Sequence, residues 1–180
     1  NLVENSDVVL ENMSPGAMKR LGLGYEILSA RNQRIIYTSI SGFGQTGPYS
    51  HKGALDVIIQ GMGGVLSITG EPDGPPIRPG VSQGDITSAL FAVIGILSAM
   101  QERSKSGLGQ FVDISMLDCQ ISILENAFTR YFATGEVPKP LGTRHPVTAP
   151  FQVFPTKDGF ITVALADGRK EKWPLFCSAI

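Results

Sequence analysis

Short β-branched runs recur along the chain between stretches whose apolar residues fall at helical spacing. Asp7–Glu11 (DVVLE), Arg34–Ser41 (RIIYTSIS) and Gln110–Met116 (QFVDISM) predict strands. Between the first two, SPGAMKRLGLG predicts a helix with Ser14 as cap and Pro15 in the first helical position, and GYEILSARN a second one ending near Asn32. Leu55, Ile58, Ile59 and Met62 stand at helical spacing in ALDVIIQGMGGVLSI. The stretch GVSQGDITSALFAVIGILSAM (Gly80–Met100) is apolar on nearly every face and predicts a buried helix, stopped by Gly107. Its longest apolar run, Ala89–Met100, contains Gly95 and Ser98 and reads as too short to span a bilayer. LDCQISILENAFTRYFATG predicts one long helix closed by Gly135. A proline-rich linker follows, then a β-hairpin around KDG in FQVFPTKDGFITVAL, and a last helix starting near Arg169.

Strand and helix alternate, so the expected fold is α/β: an open, mostly parallel sheet with flanking helices, a Rossmann-like large domain. Residues 1–135 form that domain, 136–150 an extended linker, and 151–180 the start of a smaller α+β domain. The chain begins without a methionine and ends within a helix, so it is expected to be a piece of a longer protein whose leader, if any, is hidden.

Composition narrows the function classes. Of 180 residues, 42% are hydrophobic and 17% charged, and the net charge is -1. Acids and bases are dispersed, which argues against a nucleic-acid surface or a polybasic membrane anchor. Cys119 and Cys177 have no metal or redox spacing and read as small core residues of a reducing compartment, so a cytoplasmic location is expected.

Candidate chemistry is sparse. GFGQTG (Gly42–Gly47) spells G-x-G-x-x-G after a strand, but no helix begins at its third glycine, so the pyrophosphate cradle is missing. A turn that needs positive φ explains the glycines better. His51 and His145 have no ligand cluster around them, and no metal site is expected. The nucleophile elbow of serine hydrolases is absent. Asp85 is left, a lone carboxylate at the mouth of an apolar helix. It reads either as a helix cap or as a functional carboxylate at the floor of a cleft, held ionised by orphan amides of the helix start. Those residues name a candidate and no substrate.

Five stretches together resemble one family. VVLENMSPGAMKRLGLGYE, IIYTSISGFGQTGPYS, ALDVIIQGMGGVLSITGEPDGPPIRPG, GDITSALFAVIGILSAMQERSKSGLGQFVDISMLD and APFQVFPTKDGFITVAL stand in the order found in the family III CoA-transferases, which include formyl-CoA and carnitine CoA-transferases. The resemblance implies that residues 1–135 belong to a large CoA-binding domain. It implies transfer of coenzyme A from an acyl-CoA to a carboxylic acid, with Asp85 as nucleophile through an aspartyl anhydride and an aspartyl-CoA thioester. Coenzyme A is then a substrate, and no tightly bound cofactor is implied. Asn12, Met13 and Ser14 match a loop that touches CoA, and Arg20 a basic residue near its phosphates. For Arg20, a surface charge at a helix end is the competing reading. His51, Lys52, Gly53, Ala54 and Leu55 match a stretch lining the CoA cleft. Formyl-CoA transferase carries a lysine and a tyrosine at the positions of Gly53 and Leu55, whereas this chain has Lys52 one place earlier and no tyrosine there, so formate and oxalate specificity does not follow from the resemblance.

An α-methylacyl-CoA racemase of the same superfamily is the rival reading. Racemases place a histidine at the Leu55 position, and leucine cannot move a proton. A CoA- or nucleotide-binding module without chemistry is the third. The family fold also implies an interlocked homodimer when full length, and these 180 residues alone are expected to be inactive.

Overall fold

The computed structural model describes residues 2–165 and 172–179. Two compact units are formed, Asn1–Leu66 with Arg78–Val137, and Ser67–Ile77 with Pro138–Ile180.

In the first unit, strands β1 (Val8–Glu11), β2 (Ile36–Ser41) and β3 (Phe111–Ser115) form a parallel sheet in the order β1-β2-β3. Val8 pairs with Ile36, and Tyr37 with Phe111. Helices α1 (Ala17–Arg20) and α2 (Tyr25–Arg31) join β1 to β2. Helices α3 (Asp56–Met62), α4 (Val65–Ile68) and α5 (Gln83–Ser106) join β2 to β3, and α6 (Met116–Ser122) and α7 (Glu125–Thr134) follow. In the second unit, β4 (Phe151–Pro155) and β5 (Phe160–Ala164) form the expected antiparallel hairpin, and α8 spans Lys172–Ala179. The helix start expected near Arg169 lies outside the described residues.

Several boundaries differ from the sequence reading. Ser14 and Pro15 do not open α1; the helix begins at Ala17 after Gly16, whose φ is 74°. The apolar stretch 54–68 is two helices, because Gly64 takes φ 91° and Gly63 sits so close to Gln120 that a Cβ would lie 2.6 Å from its Cγ. The long helix expected after β3 breaks at Ile123 and Leu124, where Leu124 turns inward and is 9% exposed. Of the two cysteines, Cys119 is buried and Cys177 is exposed.

Helix α5 departs most from expectation. Its 24 residues make it long and apolar enough, by length and composition, to cross a bilayer, whereas its apolar run Ala89–Met100 taken alone reads as too short. It is also not buried all round. One face, with Gly84, Ser88, Ala92, Ala99 and Arg103, is buried. Ala92 packs in a cluster with Ile114 and Cys119, joined by Ile40, Phe91 and Val112. Gly95 brings the helix onto β3, and a Cβ there would lie 2.7 Å from Val112. The opposite face carries Leu90, Val93, Ile94 and Leu97, each more than half exposed. The physical reason is that small residues let the helix approach the sheet, which moves the bulky ones outward.

The far end of α5 is anchored by one buried cation. Arg103 donates through Nη1 to the carbonyls of Arg34 (2.9 Å) and Asp7 (3.3 Å), and through Nη2 to the Asp7 carboxylate (2.8 Å). The Asp7 side chain is largely exposed, so the carbonyl bonds carry most of the anchoring. Arg103→Met leaves those carbonyls without their donor. It is expected to lower stability by roughly 2–3 kcal/mol in urea unfolding, with little change in slope.

Candidate active site

A cleft of about 550 Å³ opens at the carboxyl ends of the parallel strands. This is where open α/β sheets present their loops. Asn12, Met13 and Ser14 enter it as the chain leaves β1, and Ser41 and Gly42 as it leaves β2. Met116 closes it beyond β3, and Leu117 donates its backbone N–H to the carbonyl of Gly42 at 3.1 Å. Gly53, Ala54 and Leu55 line it ahead of α3, and Arg78, Ser82 and Asp85 around the start of α5.

The glycine loop is shaped by polar contacts beneath it. Gly44 and Gly47 take φ 76° and 85°, as a turn requires. The backbone N–H of Gln45 donates to both carboxylate oxygens of Asp113, at 2.9 and 3.1 Å. Its side chain donates to Ser39 and Ser41, and Ser39 in turn bonds Glu11. Burial, helped by Glu11 and Glu26, pushes the neighbouring Tyr37 hydroxyl up to about 12, so it stays protonated at neutral pH. Burial likewise pushes the Cys119 thiol up to about 11, which leaves it unreactive.

The start of α5 is capped from a distance. Ser82 is the N-cap residue and its side chain makes no cap bond. Asp56 supplies the cap instead: its Oδ1 accepts the Gly84 N–H at 2.9 Å, and its carboxylate also accepts the N–H of Asp85. Its Oδ2 accepts from Gln60 at 2.7 Å and from Arg78 at 3.2 Å. Gly84 permits this approach, since a Cβ there would lie 3.2 Å from both Asp56 and Ile59. Burial alone would raise the Asp56 carboxyl, but the bonds from Gln60, Gly84, Arg78 and Asp85 outweigh it and hold the group below the usual range.

The residues expected at a site are thus partly assembled. Asn12, Met13, Ser14, Gly53, Ala54, Leu55 and Asp85 line the cleft. Arg20, His51 and Lys52 are not among its lining residues: Arg20 donates to the Pro15 carbonyl at 3.3 Å, and the Lys52 ammonium lies 4.1 Å from the centre of the Tyr49 ring. Asp85 was expected inside a dry pocket, held by orphan amides. It stands in the cleft wall exposed to solvent, and the amides of Gly84 and Asp85 belong to Asp56. It is the third residue of α5 rather than its cap. Asp56, Arg78, Ser41 and Met116 were not singled out from the sequence. Arg78, the one base between two prolines and Asp85, was the signal most open to being read.

The description CoA-transferase family III matches residues 1–180. The chain belongs to the family III CoA-transferases. It is 43% identical over 166 residues to a succinate–glutarate CoA-transferase of Agrobacterium fabrum, covering 92% of this chain and 42% of that protein. It is 46% identical over 158 residues to an acetyl-CoA:oxalate CoA-transferase of Acetobacter aceti, covering 87% and 41%. Among solved structures, a CAIB/BAIF family protein from Brucella suis superposes with a TM-score of 0.85 at 42% identity, covering 98% of this chain and 47% of that one. The chain spans less than half the length of these curated relatives.

The folded pKa of Asp56 lies below its unfolded value, so its stabilisation is whole above about pH 4 and is lost as pH falls through the folded value. Asp56→Ala is therefore expected to be less stable than wild type by roughly 1–2 kcal/mol at neutral pH. The two urea midpoints should converge as the pH is lowered below the ordinary carboxylate range.

Proposed function

We propose that the full-length protein transfers coenzyme A from an acyl-CoA to a carboxylic acid, with Asp85 as the nucleophile. The observation that carries this reading is the position of Asp85: a carboxylate on the first turn of a braced helix, in the wall of the strand-end cleft of a family III chain. Relatives named for succinate, glutarate, oxalate and mesaconate favour a dicarboxylic acid as acceptor.

The chemistry follows from the groups present. A carboxylate oxygen of Asp85 attacks the thioester carbonyl, the carbon–sulfur bond breaks, and CoA leaves as a thiolate. The mixed anhydride is attacked by that thiolate at the aspartyl carbonyl, which releases the donor acid and leaves an aspartyl-CoA thioester. The acceptor carboxylate attacks this thioester, and the freed thiolate then takes the acceptor's acyl carbon and restores Asp85. Every step exchanges a carboxylate for a thiolate, and no proton is transferred. The cleft suits such a sequence, because no histidine or lysine lines it among the described residues. A racemase needs two proton carriers. Leu55 cannot be one, and His51 does not line the cleft. Asp85 is open to solvent in this chain, so the dry surroundings that quicken a carboxylate must come from bound acyl-CoA and from chain beyond the part described. Asn12, Met13 and Ser14 are proposed to touch CoA, and Gly53, Ala54 and Leu55 to line its path.

The exposed apolar face of α5 supports a homodimer as the working form, since four bulky side chains side by side are costly to leave in water.

Hydroxylamine added with acyl-CoA to the full-length enzyme should convert Asp85 to its hydroxamate, mapped by mass. Unmodified Asp85 under turnover would end the covalent reading. Asp85→Ala should lose roughly 10⁴-fold or more in kcat while still binding CoA. Leu90→Glu combined with Leu97→Glu should shift the full-length protein to a monomer in sedimentation, and an unchanged dimer would refute the assigned interface.

A further inference from the structure

The cleft carries three charged side chains among its lining residues, Asp56, Arg78 and Asp85. Two are carboxylates, so the formal charge of the lining side chains is net negative. Yet under the reading above, a carboxylic acid must enter it as an anion and approach Asp85. Arg78 is the one cation among the described lining residues.

Its head group is fixed and only partly used. Nη2 donates to Asp56 Oδ2 at 3.2 Å and to Ser82 Oγ at 3.1 Å. The two N–H groups of Nη1 and the one of Nε have no partner among the described residues, and the side chain is 45% exposed. The same Asp56 carboxylate accepts the backbone N–H of Asp85, so the cation and the nucleophile share one anchor. The phosphates of CoA lie a full pantetheine arm from the thioester, which removes them as the anion that Arg78 meets beside Asp85.

We infer that Arg78 is the acceptor-recognition residue of the cleft: its free N–H groups take a carboxylate of the incoming acid. The inference rests on the transferase reading and adds the residue that selects an anionic acceptor. Charge-assisted bonds from a pre-anchored guanidinium hold a carboxylate without the cost of ordering the side chain. That carboxylate is either the one transferred or the distal one of a diacid.

The experiment separates the two half-reactions in the full-length enzyme. Arg78→Gln and Arg78→Lys are compared with wild type for hydroxamate formation at Asp85 from acyl-CoA alone, and for the KM of a series of mono- and dicarboxylic acids. The expected result for Arg78→Gln is an acceptor KM raised about tenfold or more, with hydroxamate formation within about twofold of wild type. Arg78→Lys, which keeps the charge, should fall between. A larger rise for diacids assigns the distal carboxylate, and an equal rise the transferred one. Unchanged acceptor KM, or equal losses in both half-reactions, overturns the role of Arg78 while leaving the transferase reading intact. Absence of any Asp85 adduct in wild type overturns instead the covalent reading of Asp85 on which the inference rests.

Discussion

The site depends on one carboxylate meeting the first turn of one helix. Helix α5 begins without a side-chain cap of its own, and its free N–H groups would otherwise face a solvent-filled cleft. Asp56 closes them from α3, twenty-eight residues earlier in the chain. A local cap would hold the turn together and leave its placement free. A cap from another helix does both, because it fixes the turn against α3 and against Arg78 at the same time. The result is a rigid support for Asp85 that demands no contact with the Asp85 side chain itself.

The other end of α5 uses the opposite charge. Arg103 reaches the carbonyls that precede β1 and β2, so the helix is tied to the sheet at this end and to α3 at the other. Between these ties the contact is made by Ser88, Ala92, Gly95 and Ala99. Small residues gain little by burial but permit close approach, and the helix lies tight on β3 where Gly95 meets Val112. Phe91 packs beside Ala92, while the bulky Leu90, Val93, Ile94 and Leu97 are displaced to the outer face. That distribution is the reverse of an ordinary surface helix, whose large side chains point to the core.

Much of the fold was legible in the sequence. The three parallel strands and the hairpin follow from β-branched runs and turn residues, within two residues of where they lie. Local patterns failed where tertiary contact decided the outcome. Nothing at Ile123 or Leu124 marks a break, since neither is a glycine or a proline; the chain turns there to bury Leu124. The Gly80–Met100 stretch looked buried because hydropathy counts side chains without their partners. At the cleft, Asp85 stood out as an isolated charge before an apolar run. Asp56 did not, because an acid in the first turn of a short helix reads as ordinary dipole complementarity. Its partnership with Gly84 is a long-range fact that no window of sequence contains. Arg20 and Lys52 were charged and near the right loops, yet their head groups turn to a carbonyl and to an aromatic ring.

Spelling and meaning part company in the loop after β2. Gly44 is left-handed so that the next amide can meet Asp113 on the adjoining strand, and Gly42 lies against Ala54, where a Cβ would collide. The string Gly-x-Gly-x-x-Gly is therefore a homonym: the letters of a dinucleotide fingerprint, written to satisfy an aspartate and an alanine. Any search that reads the letters without the neighbouring strand will file such chains under the wrong chemistry.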